Sequence, residues 1–163
     1  MKYLKFVFFV VIITFFTSCI KKPKEYIPTN KLEKLKKNDS LMNSIIDLRI
    51  HFDKMYKDFD SSKEFQKFIS VATIDDLIYL TDCDIPLVRC FAFKGLLVKE
   101  YPKIKEIVLK HSNDVEIIKR QYYDIEITTN VFDYMLNELH PMAKTKFKLS
   151  RKEYDNYLLC KKK

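Results

Sequence analysis

Two kinds of apolar pattern divide this chain. The first is a single run near the start. Lys2 and Lys5 precede residues 6–16, which are apolar except for Thr14, and Thr17 and Ser18 then lead into Cys19. As a helix, that run would be about 16 Å long at about 1.5 Å per residue, against a hydrocarbon core of about 30 Å. It is too short to span a bilayer, and Lys21 and Lys22 end it. A charged start, a short apolar stretch and small residues, in that order, are the layout of an export signal.

The second kind is periodic. Leu41, Ile45, Leu48, Phe52, Met55 and Phe59 recur at alternating steps of four and three. This predicts a helix of about five turns with one apolar stripe, opened by Asp39 or Ser40. The pattern lasts fewer than three heptads, so it suits packing within a domain better than a coiled coil. Three capping boxes mark further helix starts: Ser61 with Glu64, Thr73 with Asp76, and Ser150 with Glu153. Behind them lie Phe65, Phe68, Ile69 and Ala72, then Ile74, Leu77 and Leu80, and finally Tyr154, Tyr157 and Leu158. Pro86 and Pro102 sit near the first turn of two more helices, where a missing N–H costs nothing. Asn130 opens another, with Val131, Tyr134, Met135 and Leu139 at helical spacing.

One stretch has a different period. Tyr123, Ile125 and Ile127 alternate with Asp124, Glu126 and Thr128, as in a strand. Phe147 and Leu149 alternate in the same way. A small ribbon between the two segments, or an extended connection, fits this pattern. The expected fold is a single all-α domain over residues 40–163 with room for one small β ribbon. Residues 20–39 carry seven lysines and two prolines and little apolar periodicity, the composition of a tether.

Composition sharpens this picture. The chain has one glycine in 163 residues, which rules out glycine-rich phosphate loops and argues against a turn-rich sandwich or barrel. The formal charge is +8, and it falls to +6 without Lys2 and Lys5. The excess is lysine, with only four arginines. Few planar guanidinium forks, together with export, argue against nucleic acid as a partner.

The Phe-Thr-Ser-Cys ending at Cys19 resembles the lipobox of bacterial lipoproteins. Phe16 stands where that family usually has a smaller aliphatic residue. The resemblance implies a signal peptide over residues 1–18, a lipid on Cys19, a tether over 19–39 and attachment to a membrane of the bacterial cell envelope. An uncleaved N-terminal anchor is the alternative.

Residues 77–97 read Leu-Ile-Tyr-Leu-Thr-Asp-Cys-Asp-Ile-Pro-Leu-Val-Arg-Cys-Phe-Ala-Phe-Lys-Gly-Leu-Leu. This resembles a HEAT repeat: a helix ending in leucines, an Asp-containing turn, Pro86, then Val88-Arg89, and the small residues Ala92 and Gly95. The resemblance implies a helical-hairpin array. It also implies a polar ladder in which Arg89 takes a turn aspartate, with Asp82 and Asp84 as alternatives. A second unit aligns at an offset of 30, pairing Leu77-Ile78 with Ile107-Val108, Asp84 with Asp114, Val88 with Ile118 and Arg89 with Lys119. The alignment fails at Tyr122, which stands opposite Ala92.

The candidate chemistry is sparse. Cys83, Cys90 and Cys160 remain beyond Cys19, an odd number that completes no disulfide framework. Buried thiols are expected, and the spacing suits no zinc site. His51, His111 and His140 are scattered, and no Gly-x-Ser-x-Gly elbow exists. Asp75, Asp76, Asp82 and Asp84 lie close together, but Asp76 reads as a cap and Asp84 as a turn residue, and no EF-hand spacing supports calcium. No catalytic set, metal or cofactor is assigned. The expected function is a membrane-anchored protein-binding or scaffold module. The alternative is a cell-envelope enzyme whose carboxylates converge from distant helices.

Overall fold

A computed structural model describes residues 38–51, 62–122 and 125–160. The chain is mostly helical, with one two-stranded antiparallel sheet. In order, the helices and strands are α1 (Asp39–His51), α2 (Lys63–Val71), α3 (Ile74–Leu80), α4 (Pro86–Val98), α5 (Ile104–Lys110), β1 (Ile117–Tyr122), β2 (Ile125–Asn130), α6 (Val131–Glu138) and α7 (Arg151–Cys160).

The caps explain most helix starts. Thr73 Oγ1 accepts from the Asp76 amide at 3.1 Å, and the Asp76 carboxylate accepts from the Thr73 amide at 2.9 Å. Ser150 and Glu153 make the same reciprocal pair at 3.3 and 2.7 Å. Asn130 Oδ1 accepts from the Asp133 amide at 2.8 Å. Each satisfies helix-end donors that otherwise lack partners. Two starts differ from expectation by one residue. Asn38, rather than Asp39 or Ser40, caps α1 by accepting from the Leu41 amide at 3.1 Å. Ser62 caps α2 through the Phe65 amide at 3.1 Å. In both cases the cap is the residue whose oxygen reaches the third helical amide. Ser61, Phe52, Met55 and Phe59 lie outside the described residues.

Helix α4 is the centre of the molecule. It packs against α1, α3, α5, α6 and β1. Six consecutive residues, Val88 to Phe93, are buried, and Gly95 and Leu96 continue the burial. Six residues exceed one full turn of about 3.6, so the helix is surrounded rather than laid on one face. That differs from an amphipathic helix such as α2, which buries Phe65, Phe68 and Ile69 and leaves Lys63, Gln66 and Lys67 exposed. The buried apolar side chains form one cluster running from Leu41 to Tyr154.

Gly95 is explained by close approach. A Cβ at this position would lie 2.8 Å from Ile69 Cδ1 of α2 and 2.9 Å from Leu77 Cδ2 of α3. Helix α4 ends with the Glu100 amide bonded to the Leu97 carbonyl at 3.1 Å and the Tyr101 amide to the Leu96 carbonyl at 2.9 Å. Glu100 adopts the left-handed conformation, φ 58°, that this termination requires.

The ribbon uses one of the two expected segments, the alternating stretch at Ile125 and Ile127, with a different partner. β2 pairs antiparallel with β1, joining Ile117 to Asn130 and Tyr122 to Ile125. Phe147 lies in a turn and residues 148–149 in neither helix nor strand, and the Leu149 amide donates to the Leu139 carbonyl at 2.9 Å. The segment that aligns at the offset of 30 does not form a second helical hairpin. It keeps a first helix, α5, but Ile118 and Lys119, which align with Val88 and Arg89 of α4, lie in β1. Ile117 and Ile118 are β-branched, and the pleated surface suits them better than a helix does.

Candidate functional site

The turn between α3 and α4 is built by local bonds. The Asp82 amide donates to the Tyr79 carbonyl and the Cys83 amide to the Leu80 carbonyl, both at 3.2 Å, while Thr81 Oγ1 donates to the Ile78 carbonyl at 2.7 Å. Pro86 then takes the first turn of α4. This aims the Cys83 carbonyl back along the start of α4. Arg89, one turn on and only 6% exposed, donates from Nη1 to that carbonyl at 2.8 Å. Its Nη2 donates to Asp114 Oδ1 at 3.0 Å and lies 3.3 Å from Glu116 Oε2. Its Nε lies 2.9 Å from Asp114 Oδ2, without the angle of a hydrogen bond. Burial alone would lower the Arg89 pKa, but the ion pairs with Asp114 and Glu116 outweigh it and raise the pKa above the ordinary value.

The aspartate that meets Arg89 is therefore Asp114, from the turn after α5, and not Asp82 or Asp84. Asp82 instead takes Lys110 in an ion pair and lies 3.5 Å from His111 Nε2. Asp84 is exposed and lines the cleft. His111, 8% exposed, sits between two carboxylates, with Nδ1 3.2 Å from Asp114 Oδ2. Asp114 Oδ1 also accepts weakly from the Glu116 amide at 3.4 Å. Ala92 and Gly95 are buried in the packed face of α4, which is a structural use. Cys19 lies outside the described residues.

These groups surround an open cleft of about 480 Å³ at the α3–α4 and α5–β1 turns. Its walls hold four carboxylates, Asp82, Asp84, Asp114 and Glu116, against Arg89 and neighbouring Lys110. The cleft is thus locally acidic on a chain of net charge +8. Val115 also lines it and is 65% exposed, and Ile117, two residues on, is 63% exposed.

A second cleft, of about 580 Å³, lies between α4 and the 143–146 segment. Four of its five lining charges are engaged with one another, Lys94 with Glu138 and Lys146 with Glu100. Among the described residues, no group of three or more His, Cys, Asp or Glu is placed to hold a metal ion. Cys83 and Cys90 are each 1% exposed, and burial pushes the Cys90 thiol well up, away from the reactive thiolate.

Sequence reading found Arg89 but not its partners. The signal for Asp114 was present, since it aligns with the turn aspartate Asp84 at the offset of 30. Nothing in the sequence marked His111 or Glu116, because their roles depend on where the α5–β1 turn lands in space. No family model matches the chain, and no curated protein or solved structure is similar to it.

Proposed function

We propose that this protein is a lipid-anchored component of the bacterial cell envelope that works by binding a protein partner. The anchoring part rests on the charged start, the apolar run and the small residues before Cys19. The binding part rests on one observation: an acidic cleft lined by the exposed side chain of Val115, with exposed Ile117 two residues on, on an otherwise basic chain. Exposed apolar groups bordered by charge are the makings of an interaction surface. The cleft suits a segment that sets an apolar side chain on Val115 and a lysine or arginine against Asp84 and Glu116.

Two experiments test the two parts separately. Cys19→Ala should abolish incorporation of labelled palmitate into the full-length chain and leave residues 1–18 uncleaved; labelling that persists in the variant sinks the lipid anchor. A photo-crosslinking residue at Val115 in the full-length chain should capture one stoichiometric envelope protein, and Glu116→Lys should abolish that capture. Capture that persists in the charge-reversed variant removes the cleft from the reading.

A further inference from the structure

The ribbon carries an unsatisfied feature distinct from the cleft. Cross-strand partners share a face, so Ile118 of β1 lies on the same face as Thr129, Ile127 and Ile125 of β2. At the base of that face Ile118 is 6% exposed and joins the core. Farther out the face leaves the body, and Ile127 is 38% and Ile125 64% exposed. Among the described residues, the sheet has two strands only, so β2 pairs with β1 along one side and meets no strand along the other.

Edge strands are normally blunted by lysine, proline, bulges or cover. β2 reads Ile-Glu-Ile-Thr-Thr-Asn. It holds no proline or lysine, and its single charge, Glu126, is drawn to Lys119 at 2.9 Å. Its β-branched residues favour pairing. A two-stranded ribbon alone is marginal in water, and more strands make an apolar face stable.

We infer that the open edge of β2 pairs antiparallel with β2 of a second copy of this chain, about a two-fold axis at Ile127. The charges and the central isoleucine together set this arrangement, since a centre at Thr128 also avoids opposed charges but separates the two copies of Ile127. Centred on Ile127, the register sets Ile127 against its own copy, Ile125 against Thr129, and Glu126 against Thr128. No like charges stand directly opposite, and the four exposed isoleucines gather on one face of a four-stranded sheet. Shifting the centre to Glu126 would oppose two glutamates. Pairing β1 with itself about Lys119 or Arg120 would oppose two cations, which is destabilising. The contact is isologous and closes at two copies. It uses the face and edge away from Val115 and Ile117, so it stands independently of the cleft.

Disulfide trapping in the purified full-length chain, kept in detergent if it partitions with membranes, tests this. Residue 127 faces itself across the axis, whereas Ile117 is on the outer strand and the opposite face. Under mild oxidation, Ile127→Cys should give a covalent dimer in at least about tenfold excess over the unsubstituted chain and over Ile117→Cys. Sedimentation over roughly 1 to 100 µM, the range suited to a small strand-edge contact, should show the unsubstituted chain reaching two-chain mass and Ile127→Arg remaining at one. Circular dichroism confirms that both variants are folded. Equal trapping at positions 117 and 127, one-chain mass throughout for the unsubstituted chain, or a dimer that survives Ile127→Arg each overturns the proposal.

Discussion

Replacing Arg89 by alanine should unfold this domain more readily than any other single polar truncation described here. The guanidinium is 6% exposed and bonds a carbonyl and a carboxylate on two different turns. Truncation leaves the Cys83 carbonyl and the Asp114 carboxylate, whose side chain is 13% exposed, without their main donor. Breaking a buried pair from one side costs about 3–5 kcal/mol. Asp114 keeps its contact with His111 at 3.2 Å and the Glu116 amide at 3.4 Å, which favours the lower end, about 3 kcal/mol. For a body of this size that lowers the melting temperature by about 12 °C. Urea unfolding followed by circular dichroism measures the change. Arg89→Lys should recover only part of the loss, because an ammonium cannot serve both turns with a fork. In a double-mutant cycle, Arg89→Ala and Asp114→Ala should couple by at least about 1.5 kcal/mol, since removing both charges leaves neither one stranded. Glu116, whose side chain is 60% exposed, should contribute less than about 0.5 kcal/mol when changed to Gln. A loss below about 1 kcal/mol for Arg89→Ala, or coupling near zero, refutes the buried tie.

Gly95→Ala sets a helix-propensity gain of about 1 kcal/mol against contacts at 2.8 and 2.9 Å, for which overpacking costs about 1–3 kcal/mol. A net loss of about 1 kcal/mol is expected in the same urea assay, and a gain of that size would show that the α2–α4 approach needs no glycine. Glu100→Gly relieves a left-handed φ of 58° at the end of α4 and should stabilise by about 0.5–1 kcal/mol, even with the exposed pair to Lys146 lost; a loss instead would mean that this pair outweighs the backbone strain. The Glu153 carboxyl is held down to about 2, below its ordinary 4.5, by the Lys105 ammonium and by the Ser150 amide and hydroxyl. A depressed folded pKa stabilises above the ordinary range and is lost as pH falls from about 4.5 toward 2. Glu153→Gln should therefore flatten the stability slope in that window, and a carboxyl titration midpoint near 4.5 would remove the assignment.

The helices were legible because their signals are local. Thr73 with Asp76 and Ser150 with Glu153 need only four residues each to specify a start, and Phe65, Phe68 and Ile69 state a face by spacing alone. The ribbon was half legible. Alternation at Ile125 and Ile127 marked β2, but a pairing partner is a tertiary fact, and Tyr123-Asp124 is not the Asn-Gly signal that announces a hairpin. Ile117 and Ile118 fit a truncated helix as well as a strand until the structure places them. The site was legible at Arg89, whereas the offset of 30 marked Asp114 as a turn aspartate and not as the partner of Arg89. Exposure was not legible at all: Val115 and Ile127 read in the sequence like any core residue, and only the path of the ribbon away from the body exposes them.

Arg89 and Asp114 also tie the turn after α5 to the first turns of α4. Arg89 is enclosed by the helices around α4, so its charge must be met by whatever follows α5. Asp114 meets it in the turn, before the chain commits to either a second helix or a strand. The Phe132 amide donates to the Asp114 carbonyl and the Val131 amide to the Glu116 carbonyl, both at 3.1 Å, so the same turn anchors the start of α6. The tie is thus the seam between the helical body and the ribbon, and Val115 projects from that seam to solvent at 65% exposure. Stability and binding should separate across these two adjacent residues. Val115→Lys should leave the unfolding free energy within about 0.5 kcal/mol of the unsubstituted chain, as substitution of an exposed side chain does, whereas Asp114→Ala should cost several times that amount. A loss above about 1.5 kcal/mol for Val115→Lys would place Val115 in the packing of the seam and take it off the binding face.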